Sequence, residues 1–220
     1  MRKNIIIYMI TGLVVQLSCH PAAAFDPNDL KKLLATNECR SCDLRGADLR
    51  KADLEGADLE GSDLTSANLS DSNLKGANLK KVRMENGSAF NTDFSSANLS
   101  GANLHDRALA RANFSDANLS DADLSLTYSE KVNFERADLT ACNLEKARLR
   151  TANLQNAVLM NANLQRAGLS NADLRGVQLT GANMQEAYMW RTKLDYEAHE
   201  YAQKNGAILK KRVRKDCCND

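Results

Sequence analysis

The sequence predicts an all-β solenoid, a chain wound in short straight sides around one apolar axis, and three observations predict it. A large apolar residue recurs at every fifth position from Leu44 to Leu194, failing only at Ala89 and Ser129. Two residues before each stands something small, as in Ala47, Ala52, Ala57, Ser62 and Ala67, with Arg107 the one outright exception. One residue before is usually Asp or Asn, so the unit reads A-[DN]-L-x-x.

A period of five excludes the common alternatives. On an α-helix five residues advance about 500°, so successive leucines walk around the cylinder and form no stripe. In a flat strand five is odd, and successive leucines point to opposite faces. If the chain turns a corner once per unit, every leucine points to one axis. The small residue two positions earlier then shares the leucine's side, because strand side chains repeat with period two.

Composition agrees with a repeat. Of 220 residues 43% are apolar but only 5% aromatic, with two prolines, and mean hydropathy is −0.46. So much Leu and Ala needs burial that an ordinary aromatic-rich core does not provide, and stacked repeats provide it. Twenty-nine Lys and Arg against 28 Asp and Glu argue against a strongly basic nucleic-acid binder.

The amino terminus reads as a targeting segment. Arg2 and Lys3 precede a mostly apolar run from Ile5 to Leu17, and Ala22-Ala23-Ala24 offers small residues where a signal peptidase reads, predicting cleavage after Ala24. The run is short for a bilayer span. Leu17-Ser18-Cys19 resembles a lipoprotein processing site, but Gln16 stands where such sites usually have an aliphatic residue, which places soluble export ahead of a lipid anchor at Cys19. Removal of residues 1–24 leaves 27 basic against 28 acidic residues, a net charge of −1.

The unbroken A-[DN]-L-x-x run over about residues 40–194 resembles the pentapeptide-repeat family. The resemblance implies a right-handed quadrilateral β-helix with four units per coil, leucines filling the axis, alanines tightening the corners and the other three residues facing solvent. Four units per coil over this run make about eight coils, roughly 37 Å at the ~4.8 Å spacing of paired strands. Stacked coils bury a leucine column that no single coil can close, and stacked Asn can form hydrogen-bonded ladders. Such a shaft holds no concave pocket. Its ends need lids. Asp29 to Thr36 has helical spacing through Leu30, Leu33 and Leu34, and Asp195 reads as the N-cap of a helix to about Lys204, terminated by Asn205-Gly206. The expected organisation is a signal peptide over 1–24, a helical cap over 25–39, the β-helix over 40–194, and a C-terminal helix with a basic tail over 195–220.

With twenty residues per coil, Ala89, Leu109 and Ser129 stack on one face together with Arg107. Phe94, Phe114 and Phe134 form a core ladder one unit later, read as filling volume that Ala89 and Ser129 leave. A guanidinium left unpaired in the axis is too costly, so Arg107 is expected to turn outward on a bulge near residues 105–108. With Phe90 and Tyr128 it would form an interaction patch, since Arg and aromatics anchor interfaces.

Cys39 and Cys42 form the candidate disulfide, either with one another or tying the N-terminal lid to the first coil; a redox pair or half of a zinc site is the less favoured alternative. Cys142 reads as a buried thiol in place of Ala, while Cys217 and Cys218 are open to intermolecular bridges. His105 and His199 show no nucleophile or metal partner at useful spacing, and Asp48, Asp53, Asp58 and Asp63 point apart on successive sides, so no catalytic set, cofactor or metal is expected. The favoured function is a non-catalytic exported rod that docks a partner protein, with no nucleic acid expected. The run Lys210, Lys211, Arg212, Arg214 and Lys215 is suited to an anionic membrane surface or an acidic partner. The family resemblance adds a DNA-mimicking, gyrase-binding alternative, and a thiol redox protein using Cys39 and Cys42 is the third. Compartments consistent with export are the periplasm, the medium or a thylakoid lumen.

Overall fold

The computed structural model describes residues 7–10, 13–16 and 25–210. The expected cleavage site at Ala24, the lipidation candidate Cys19, the tail cations beyond Lys210, and Cys217 and Cys218 lie outside the described residues. In the amino-terminal segment, β1 (Ile7–Ile10) pairs antiparallel with β2 (Leu13–Gln16), Ile7 opposite Gln16 and Ile10 opposite Leu13.

From Glu38 onward the chain is a β-solenoid. The residue before each central position pairs in parallel with the residue twenty later: Glu38 with Asp58, Asp43 with Asp63, Asp48 with Asn68, Asp53 with Asn73. A coil is therefore twenty residues in four sides of five. Each side holds its neighbours through backbone bonds such as Leu49 N–H to the Asn68 carbonyl (2.8 Å) and Asn68 N–H to the Ala47 carbonyl (3.0 Å). Within a coil, the Ala47 N–H returns to the Leu44 carbonyl (3.0 Å) and closes the corner. The second corner residue sits at positive φ, +67° at Gly46 and +59° at Lys51. Most corners are not glycine, and each L-residue there costs about 1 kcal/mol that stacking must offset.

The Asp or Asn of the unit has a local duty. Its carboxylate or amide oxygen accepts the N–H two residues on, as Asp93 does from Ser95 and Asp123 from Ser125, both at 2.9 Å. This turn-fixing bond is why a short polar side chain precedes most of the leucines. Inside, the central residues and the small residues two positions before them are almost all buried. Their removal from water drives stacking.

Helices lie at both ends of the solenoid. In α1 (Pro27–Thr36) Asp26 accepts the Asn28 N–H (2.8 Å), Pro27 occupies the first turn, and Asn37 at φ +55° ends the helix. Leu30 and Leu33 are buried, and the Asp29 carboxylate accepts the Asp43 N–H (2.8 Å) from the first coil. In α2 (Tyr196–Lys204) Ala198 and Ala202 are buried and the Tyr201 hydroxyl donates to the Ala182 carbonyl (3.2 Å). The Asp195 carboxylate makes no cap bond to its own helix and accepts the Gly176 N–H. α2 occupies the place of two sides. The chain then rejoins the register, with Ile208 paired to Tyr188 and bonded to the Ala187 carbonyl (2.7 Å). Among the described residues no helix is long and apolar enough to cross a membrane.

Candidate interaction face

Two sides of the shaft carry long polar ladders at the position before the leucine, and a third carries one rung. Asn113 donates to Asp93, Asn133 to Asn113 and Asn153 to Asn133, each at 3.0 Å; Asn143, Asn163 and Asn183 repeat this on a second side, and Asn78 donates to Asp58 on a third. On the fourth side the column opens with Asp48 and Asn68 and then reads Ser88, Ala108, Tyr128, Arg148, Gly168 and Tyr188. The ladder stops there, although the backbone register continues.

Beneath this side the core is polar, and here the structure corrects the expectation for Arg107. No bulge forms at residues 105–108: Asp106 N–H bonds the Ser125 carbonyl (3.0 Å) and Ala108 N–H the Gly87 carbonyl (3.2 Å). Arg107 points inward and is 1% exposed. Its guanidinium donates to the backbone carbonyls of Met84, Ala67 (3.2 Å) and Ser88 (3.0 Å). These acceptors compensate the charge, so the inward guanidinium is not left unpaired. Room comes from Gly87, where an added Cβ would meet the Arg107 guanidinium and lie 2.5 Å from the Ala67 carbonyl oxygen. Arg107 Nε has no partner, and burial pushes the guanidinium down to about 9. One coil on, Ser129 bonds Thr127 (3.0 Å) and Thr127 bonds the Leu124 carbonyl (2.8 Å), all buried. Phe94, Phe114 and Phe134 stack in the axis with centroids 4.7 and 5.1 Å apart. The space at Gly87, however, is taken by Arg107.

Outside, this side is apolar and cationic. Phe90 is 41% exposed and Tyr128 39%, with Leu126 at 45% on the adjoining corner at φ +60°. Phe90 and Tyr128 flank a shallow pocket of about 360 Å³, lined further by Ala110, Arg111, Glu130 and Lys131. Arg148 lies over the Tyr128 ring (5.9 Å) and Arg191 over Trp190 (4.6 Å). On the other sides arginines pair with carboxylates, Arg45 with Asp43, Arg83 with Asp63, Arg136 with Asp116, Arg166 with Glu186, Arg175 with Asp173 and Arg40 with Asp58 and Glu60, and so does Arg50 with Asp48 at the start of this one. Among the described residues, the arginines without a carboxylate partner are Arg107, Arg111, Arg148, Arg150 and Arg191, and all lie on this side.

Other candidates have less to offer. Cys39 and Cys42 are joined as a disulfide with Cα atoms 5.4 Å apart, both buried where α1 meets the first coil. Asp29 stands close to both sulfurs, but bonded sulfurs are not thiolate ligands. Cys142 is buried, and desolvation raises its thiol far above the ordinary range. His105 departs from expectation, because Ser125 one coil away places Oγ 2.8 Å from its Nδ1. Ser125 is 6% exposed, and the following N–H groups of Leu126 and Thr127 are bonded to the carbonyls of Glu145 and Leu124, leaving no oxyanion donors there. His199 is exposed on α2.

A sequence profile described as Pentapeptide repeats (8 copies) matches residues 42–86, 90–127, 130–156 and 157–195. HetL, a pentapeptide repeat protein involved in heterocyst differentiation regulation in the cyanobacterium Nostoc sp. strain PCC 7120, is 32% identical over 66% of this chain and 73% of its own, with a TM-score of 0.30. A pentapeptide repeat protein of the Arabidopsis thaliana thylakoid lumen is 26% identical over 64% and 78%, with a TM-score of 0.30. QnrB1, a plasmid-mediated fluoroquinolone resistance protein, is 16% identical over 70% and 85%, with a TM-score of 0.49. No curated protein sequence matches the chain. With most of its length matched by the family profile and its backbone wound in four five-residue sides, the chain belongs to the pentapeptide repeat family.

Proposed function

We propose that this protein is a non-catalytic interaction module, exported by its amino-terminal segment, that docks a partner protein on the side carrying Phe90 and Tyr128. In this reading the shaft is right-handed, of about eight coils, with α1 and α2 as its lids. The observation that carries the proposal is one side that has no amide rung among the described residues and exposes Phe90 and Tyr128 beside arginines that no carboxylate answers. A ladder side chain is bonded along the axis and is not available to a partner, whereas Phe90, Tyr128, Arg111 and Arg150 stand outside any such ladder. Buried Cys39 and Cys42 serve here as a staple between lid and coil, because an incoming thiolate has no path to the sulfurs. A duplex mimic needs an anionic face, and this side has the opposite sign.

A photo-crosslinkable benzoylphenylalanine placed at Tyr128, and in a second protein at Asn118 on the side of Asp58, tests the reading in the native host. Saturable crosslinking of one partner from position 128 and none from 118 is expected. Equal labelling from both positions, or none from either, overturns it. Intact mass after fractionation tests export, with a soluble species beginning at Phe25 expected and an unprocessed cytoplasmic chain overturning it.

A further inference from the structure

Resting on that docking reading, we infer that the partner presents an extended acidic segment with one large aliphatic side chain, which inserts between Phe90 and Tyr128 over Ala110 while its flanking carboxylates meet Arg111, Lys131 and Arg150.

Charge complementarity selects the chemistry. Six arginines on the other sides, and Arg50 at the start of this one, are answered by Asp or Glu, and the exposed arginines beside this pocket are not. An acidic segment supplies what the other sides supply internally. Shape selects the anchor. Phe90 and Tyr128 stand two coils apart, roughly 10 Å at the strand spacing, and Ala108 and Ala110 lie between them as a floor with no bulk. The pocket volume of about 360 Å³ admits a leucine-sized group. Length selects an extended conformation. From the coil of Ser88 to that of Tyr188 the side runs about 24 Å, which a seven-residue extended segment spans at about 3.3 Å per residue. A single-stranded nucleic acid carries a phosphate at every residue and would set one against Glu130 in the pocket lining, whereas a peptide keeps its carboxylates on the flanks and offers Glu130 the N–H groups beside its uncharged anchor.

The test titrates the full-length protein against a seven-residue acetylated peptide with a central leucine between three acidic residues on each side, followed by fluorescence anisotropy. Saturable binding that weakens with salt is expected. Replacing the central leucine by glycine should weaken it about tenfold. Phe90→Ala should remove that leucine preference and Arg111→Gln should reduce the salt dependence. Lys80→Gln on the side of Asp58 should change neither, with all variants sharing the wild-type melting temperature. Three outcomes overturn the inference: no saturable peptide binding, binding unaltered by Phe90→Ala, or a seven-nucleotide oligothymidylate binding as tightly as the peptide. If the peptides fail while position 128 still crosslinks one protein saturably, the partner chemistry is wrong and the docking reading stands.

Discussion

The side built on Asn113, Asn133 and Asn153 and the side built on Ala108, Tyr128 and Arg148 share a backbone register, residue pairing with residue twenty later on both. Outside, the first is tied lengthwise by amide bonds at 3.0 Å, and the second is not. Inside, the first stacks Phe114 on Phe134, and the second buries a guanidinium, a threonine and a serine. Backbone pairing alone therefore maintains the winding. The ladder adds stability where it runs, and its absence releases outward side chains for other uses.

The difference can be broken most severely from within. Gly87→Ala should lower stability by about 3 kcal/mol, because the new methyl meets both the Arg107 guanidinium and a fixed carbonyl of the coil before it. Urea unfolding with an unchanged midpoint would refute the packing of Arg107 described above. On the ladder side, Asn133→Ala removes a donor to Asn113 and an acceptor of both Asn153 and the Glu135 N–H, and should cost about 1–2 kcal/mol. The same truncation at Arg150, on the bare side, should cost less than about 0.5 kcal/mol. Equal losses at the two positions would erase the distinction between the sides. The smallest effect is electrostatic. Hydrogen bonds from Arg175, then Lys193, hold the Asp173 carboxyl at about 2, below its ordinary value of 3.8. A depressed carboxylate stabilises the fold above its unfolded value and loses that contribution as pH falls. The advantage of wild type over Asp173→Asn should thus be full at neutral pH and vanish between about pH 4 and pH 2. It should stay below about 1 kcal/mol, because Arg175 and Lys193 are solvent-exposed. A difference in urea midpoint that does not change with pH would argue against the ion pairs.

The winding was legible because leucine burial imposes a strict period, and Leu44 to Met189 obey it wherever the core is apolar. Arg107 defies the expectation of an outward turn because it is not unpaired: its acceptors are backbone carbonyls, opened to it by a glycine one coil earlier. Gly87 sits twenty positions before Arg107, so that signal was present in the numbering. The same spacing joins His105 to Ser125. The bare side was half visible through Phe90 and Tyr128. What a list of residues could not reveal is which arginines lack carboxylates, since pairing depends on distances across coils and around corners.

The return of the chain after α2 fixes where a tether would attach. Ile208 pairs with Tyr188, which places it at the end of the column that runs through Ala108, Tyr128 and Arg148. Anything joined after Lys210 therefore starts from the end of the docking side. A linkage made directly after Lys210 would start beside the face whose partner is sought, so immobilisation for binding work belongs on another side, through an exposed lysine such as Lys80.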